Sequence, residues 1–155
     1  MRLTNPDLDI AGYDKNNQLV LIVEVKQKLR ASSEWVTKLR RNMLAHGYFP
    51  QTSFFLLVTP DRFYLWKNAG VLPEIIQPDY EIDATPILQP YADRTGVPIE
   101  HMSGRSLELI VEAWLDEIMR SDIPPAKLGS TQNWLFESGL YDAIKGGHAV
   151  LELAA

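Results

Sequence analysis

Three residues have the types and spacing for hydrolytic chemistry: Asp9, Glu24 and Lys26. Glu24 and Lys26 close an apolar run, Leu19-Val20-Leu21-Ile22-Val23-Glu24-Val25-Lys26. A run this rich in aliphatic residues reads as a strand covered on both faces. Side chains alternate along a strand, so Ile22, Glu24 and Lys26 share one face. An unpaired charge there would cost several kcal/mol, roughly, which asks for a partner. Asp9 and Asp7 lie on the preceding segment and can supply it. Two carboxylates beside an amine suit phosphodiester hydrolysis. The carboxylates can hold a hard divalent cation such as Mg²⁺ while leaving room for water and phosphate. Such an ion polarises a phosphoryl oxygen and acidifies a water. The lysine can position or deprotonate that water, or offset charge building on phosphorus. The competing reading is a strand end that carries a solvated ion pair.

These residues must be positioned by a hairpin. Asp7 to Tyr13 begins with the alternation of a half-buried strand. Asp14-Lys15-Asn16-Asn17 has turn chemistry, because Asn and Asp tolerate left-handed backbone. Gln18 to Gln27 is the longer partner strand. A turn centred on residues 15 to 17 sets Asp9 opposite Val23 or its neighbours, and keeps both Asp7 and Asp9 within reach of Glu24. Asp9 precedes Glu24 by 15 residues, which favours it over Asp7 for a tight hairpin.

A helix follows from Ser32-Ser33 to Gly47, with Ser33 expected as its N-cap and Trp35, Val36, Leu39, Met43 and Leu44 as its apolar stripe. Lys38 and Arg41 share another face, from which Arg40 points away. Ser53 to Thr59 and Arg62 to Lys67 read as two further strands around Pro60-Asp61. The order β-β-α-β-β, with a helical crossover, predicts a mixed sheet. Residues 68 to 81 read as a connection. Helices are expected over residues 82–95, 103–120 and 132–145, and a short strand or tail over 148–153. Pro124-Pro125 and Gly129 break the chain.

Asp9 (or Asp7, within Pro6-Asp7) followed by Glu24-Val25-Lys26 at the end of an apolar strand resembles the PD-(D/E)XK nuclease superfamily. Glu24-Val25-Lys26 is the one Asp/Glu-x-Lys in the chain. The resemblance covers roughly residues 5 to 67. It implies an α/β restriction-endonuclease-like fold, a mixed β-sheet with flanking helices, here with extra C-terminal helices over about 80–155. It implies Asp9 (or Asp7) and Glu24 as metal ligands with the Val25 carbonyl as a third, Mg²⁺ or Mn²⁺ as cofactor, and Lys26 as the catalytic lysine. The superfamily core opens with a helix before the first motif strand, and few residues precede Asp7. A C-terminal helix, or a partner, would then fill that layer.

The 155 residues are enough for one core and one expected domain. Without cysteine there is no disulfide frame and no thiolate metal site. No apolar run approaches the ~20 residues of a membrane span, so a cytoplasmic protein is expected. The net charge of -5 opposes bulk affinity for nucleic acid, yet residues 26 to 41 hold six basic residues against Glu34 alone. Lys28, Arg30, Lys38 and Arg41 are the candidate phosphate contacts of a DNA substrate. From Glu74 onward, 14 acidic residues face five basic ones. Three functions remain in view: a metal-dependent DNA endonuclease, acting as a homodimer to cut both strands; a binding or assembly module that keeps the fold without catalysis; and a nuclease subunit that takes its specificity from a larger protein partner.

Overall fold

A computed structural model describes residues 8–120 and 130–152 of the chain. Strands β1 (Ile10–Tyr13) and β2 (Leu19–Val25) form the expected hairpin. Asp14 makes the turn: its Oδ1 accepts the N–H groups of Asn16 and Gln18, each at 2.9 Å. Asn17 takes the left-handed conformation there, with φ 64°. The register pairs Ile10 with Val23 and Ala11 with Ile22, which sets Asp9 against Glu24.

Helix α1 (Ser33–His46) crosses over to β3 (Phe54–Val58), which lies parallel to β2. Its N-cap is Ser32 rather than Ser33: the Ser32 hydroxyl accepts the Trp35 N–H at 3.0 Å. The buried stripe runs through Val36, Thr37, Arg40 and Leu44, with Trp35, Leu39 and Met43 at its half-buried margin. Arg40 therefore points into the protein. Its guanidinium lies 5.7 and 5.5 Å from the rings of Phe55 and Trp66, and donates to the Gly70 carbonyl.

β4 (Arg62–Lys67) returns antiparallel to β3. The connection that follows holds a further strand, β5 (Tyr80–Asp83), paired with β4. Tyr80-Glu81-Ile82-Asp83 alternates as an edge strand does, with Ile82 buried between exposed Glu81 and Asp83. Helix α2 (Thr85–Thr95) then starts three residues later than expected, with Pro86 in its first turn. Helix α3 (Gly104–Arg120) matches its periodicity, burying Leu107, Ile110, Val111, Trp114, Leu115, Ile118 and Met119.

Pro124-Pro125 and Gly129 lie outside the described residues. The single helix expected over 132–145 is instead two short ones, α4 (Asn133–Glu137) and α5 (Leu140–Ile144). Gly139, with φ 85°, divides them, because a left-handed residue cannot continue a helix. β6 (His148–Leu151) pairs with β1. The result is an α/β protein with a six-stranded mixed sheet in the order β5-β4-β3-β2-β1-β6, flanked by helices.

Both sheet faces are covered. Ile22, Phe55, Leu57, Tyr64 and Trp66 pack against α1 on one side. Leu21, Val23, Val25, Leu56 and Phe63 pack against the later helices on the other. Phe63 touches Trp114 and Trp134 at ring separations of 5.1 and 6.0 Å. The strand aromatics are thus core residues, as strand spacing favours. No helix among the described residues is long and apolar enough to cross a membrane.

The closing strand carries its own test. A Cβ on Gly147 would sit 1.8 Å from the Tyr13 carbonyl oxygen, a backbone atom with no room to move. Gly147→Ala should push β6 off β1 and cost about 2–3 kcal/mol, read as a lower denaturant midpoint.

Candidate active site

The hairpin joins Asp9 and Glu24 reciprocally. The Asp9 N–H donates to Glu24 Oε2 at 2.8 Å, and the Val25 N–H donates to Asp9 Oδ2 at 2.8 Å. Each carboxyl group is held through one oxygen by the other strand's backbone, so its orientation follows from the register itself. Asp9 is pinned again at its carbonyl, which accepts the Glu152 N–H at 2.9 Å as the chain leaves β6. Asp7 lies outside the described residues.

Glu24 is only 2% exposed, on the sheet face that carries Ile22. Burial, then the neighbouring Asp9 carboxylate, push its carboxyl up to about 9; the Asp9 N–H and Lys26 pull the other way. Without a cation, Glu24 is therefore protonated at neutral pH. Lys26 follows β2, half-buried, and its N–H donates to the Val58 carbonyl at 2.8 Å. Its ammonium acts on Glu24 and also on Glu108.

Glu108 was not among the residues that the sequence singles out. It lies in α3, half-buried, and Asp9 acts on its carboxyl. Burial and the Asp9 carboxylate raise the Glu108 carboxyl above its ordinary range, against the opposing pull of Arg105 and Lys26. Asp9 thus acts on two other carboxyl groups, Glu24 on the hairpin and Glu108 on α3. Nothing local in the sequence marks Glu108. It is one of several acidic residues on an amphipathic helix, and only the folded contact distinguishes it.

The donor chemistry fits a hard divalent cation: carboxylate oxygens, held in orientation by backbone N–H groups, around a buried acid that needs a countercharge to ionise. Asp9 and Glu24 would hold it. Among the described residues no group of three or more His, Cys, Asp or Glu side chains is placed to hold a metal ion, so the protein's share would be these two carboxyl groups. Water and substrate oxygens would complete the shell, as they commonly do around Mg²⁺. Val25 is buried and gives its N–H to Asp9.

The basic residues divide into two groups. Lys28 and Arg30 are exposed on the loop between β2 and α1. Lys28 lies 5.5 Å from the Trp35 ring, and Arg30 has φ 54° with its N–H donating to Asp61. Lys38 is paired with Glu34 at 2.9 Å, one turn back on α1. Arg41 donates to the Asn42 side chain at 3.3 and 3.2 Å. The structure thus gives Lys28 and Arg30 immediate succession to Lys26, and gives Lys38 and Arg41 local partners on α1.

Comparison with protein-family models, curated proteins and solved structures yields no match. The functional reading therefore rests on the residues themselves.

Proposed function

We propose that this chain is a metal-dependent nuclease of the restriction-endonuclease-like type, hydrolysing DNA phosphodiester bonds with Mg²⁺ or Mn²⁺. The observation that supports the reading best is the reciprocal pair of 2.8 Å hydrogen bonds that fixes Asp9 and Glu24 side by side, directly before Lys26. The bound ion supplies charge stabilisation and an acidified water. Asp9 and Glu24 hold and orient it. Lys26 holds the attacking water or offsets charge on the phosphoryl oxygens. Lys28 and Arg30 bind the flanking backbone. A homodimer would bring two such sites to the two strands of a duplex, and a larger partner could supply target choice. The test is cleavage of supercoiled plasmid with Mg²⁺ or Mn²⁺ at near-neutral pH. Nicking that vanishes with chelator and in Glu24→Ala is expected; cleavage unchanged in Glu24→Ala or Lys26→Ala sinks the assignment.

The second reading, a binding or assembly module, is favoured by one observation. A protonated, hydrogen-bonded Glu24 also serves as a purely structural clasp between the strands. That reading expects no metal binding, and DNA binding that is either absent or indifferent to metal.

The two groups of basic residues give a distinct prediction. Each phosphate neutralised contributes roughly 0.9 to the slope of log K against log salt. The double variant Lys28→Ala/Arg30→Ala should flatten the slope by about 2 in filter or fluorescence binding. Lys38→Ala, whose ammonium is engaged by Glu34, should change it little.

A further inference from the structure

We propose that Arg40 holds a small monatomic anion, chloride in size, in a cavity between α1 and the sheet. The site lies at the end of the sheet away from Glu24 and Lys26, and the proposal does not depend on the metal-dependent reading above.

Arg40 sits on the inner face of α1 and is 1% exposed. A guanidinium carries five N–H donors and no acceptor, and it stays charged in proteins. Nη2 has a protein acceptor, the Gly70 carbonyl at 3.0 Å. Nε and Nη1 are buried and have none among the described residues. The charge is equally unmatched. Among the described residues, Lys38 and Glu34 form the one ion pair, and no carboxylate is within that distance of Arg40. Glu74 acts on Arg40 from the connection after β4, where its own side chain is exposed. The Phe55 and Trp66 rings, 5.7 and 5.5 Å from the guanidinium, ease its burial without supplying negative charge. A buried cation with two idle donors is costly, and a countercharge on those donors removes the cost.

Arg40 also lines a cavity of about 10 Å³, room for one water-sized particle. Ile22, Leu44, Phe49, Phe55 and Val71 make its wall mainly apolar. Chloride is little larger than a water molecule and needs only donors, which Nε and Nη1 supply. A water in the same place could accept those bonds, but it would turn its own hydrogens toward a mainly apolar wall and leave the charge uncompensated. Charge and wall together therefore favour an anion, and the volume is too small for a carboxylate or a phosphate group. The cavity shares Thr52, Ser53, Ala69 and Gly70 with an open groove of about 490 Å³, which gives the anion a path from solvent. The groove runs along Gln18, Leu19 and Val20 at the start of β2, whereas Glu24 and Lys26 lie at its end.

The experiment is a series of thermal melts of the full chain with chelator at pH 7 and fixed ionic strength, exchanging sodium gluconate for sodium chloride. Gluconate is too bulky for the cavity. The melting temperature of the parent should rise saturably with chloride, by about 3–5 °C at tenfold excess over Kd. Arg40→Met keeps an apolar stem of similar length and removes both the charge and the donors. It should melt at the same temperature in either salt, and at or above the parent in gluconate, because an apolar replacement of an unmatched buried charge is often neutral or stabilising. An equal chloride response in parent and Arg40→Met overturns the proposal. A crystal of the parent soaked in bromide gives a reading that does not depend on how the variant folds. An anomalous peak within hydrogen-bond distance of Nε and Nη1 supports the site. A water there without anomalous signal, or the Glu74 carboxylate turned in against the guanidinium, overturns it.

Discussion

Glu24→Gln is expected to abolish metal-dependent DNA cleavage and, in the metal-free protein, to raise stability at pH 8. The two effects have one origin. Glu24 is buried, and burial together with Asp9 lifts its carboxyl to about 9 in the folded chain, from an ordinary 4.5. A folded value above the unfolded one means that the native state binds the extra proton between those limits. Stability contributed by the neutral carboxyl is complete below about pH 4.5 and is lost as pH rises through about 9. At roughly 1.4 kcal/mol per unit, the loss reaches several kcal/mol across that window. The groups that act on Glu24 are Asp9, which adds to the rise, and Lys26, which opposes it. Gln has the shape of the neutral acid, can still accept the Asp9 N–H and does not ionise. Thermal melts with chelator should show the parent declining from pH 5 to pH 9 and Glu24→Gln nearly flat, the gap at pH 8–9 reaching about 10 °C. The same substitution removes one of two charged anchors for the ion, and cleavage should fall about 1,000-fold or more. A stabilising change that eliminates activity is characteristic of a functional group held against its own preference.

The second large effect separates binding from chemistry at Lys26. Lys26→Met removes the ammonium and keeps the aliphatic stem of a half-buried side chain. Cleavage should fall roughly 100- to 10,000-fold, the range for loss of a positioned proton-transfer or charge-offsetting group. Mn²⁺ affinity should hold or rise, because a positive charge has left the neighbourhood of Glu24 and Glu108. Plasmid cleavage and calorimetry on the same preparation check both. A variant that loses metal binding and cleavage together would instead make Lys26 a structural support.

How much of this could be read from residues alone differs from element to element. The hairpin was legible because Asp14 and Asn17 are turn residues and Leu19 to Val25 is apolar enough to be central in a sheet. Its register followed to within one residue, which brought Asp9 to Glu24. The parallel β2–β3 pair followed from a helix lying between two buried strands. β5 was lost to a connection rich in proline and glycine, although Tyr80 to Asp83 alternates; four residues are too short a run to outweigh such neighbours. The division of α4 from α5 turned on Gly139, whose left-handed φ depends on the local fold, since an isolated glycine in a helical pattern is often tolerated. Arg40 in the core contradicts composition outright. Its stem and guanidinium pack on Phe55 and Trp66, and that contact exists only once α1 is laid on the sheet.

The site shows the same division. Asp9, Glu24 and Lys26 are neighbours through local pairing, and local pairing can be inferred from turn chemistry. Glu108 comes near the site only through the docking of α3, a contact between distant parts of the chain. No spacing rule reaches that far. The acidic character of the later helices, which by itself argues against DNA, conceals one residue whose carboxyl feels Asp9.

The most direct measurement is a crystal structure of the protein soaked in Mn²⁺, read by anomalous scattering. The account places one strong peak within coordinating distance of both Asp9 and Glu24, with each carboxylate still accepting its N–H from the opposite strand. A metal bound elsewhere, or a fully soaked crystal with no peak at that pair, would leave the hairpin a structural clasp and remove the basis for hydrolysis.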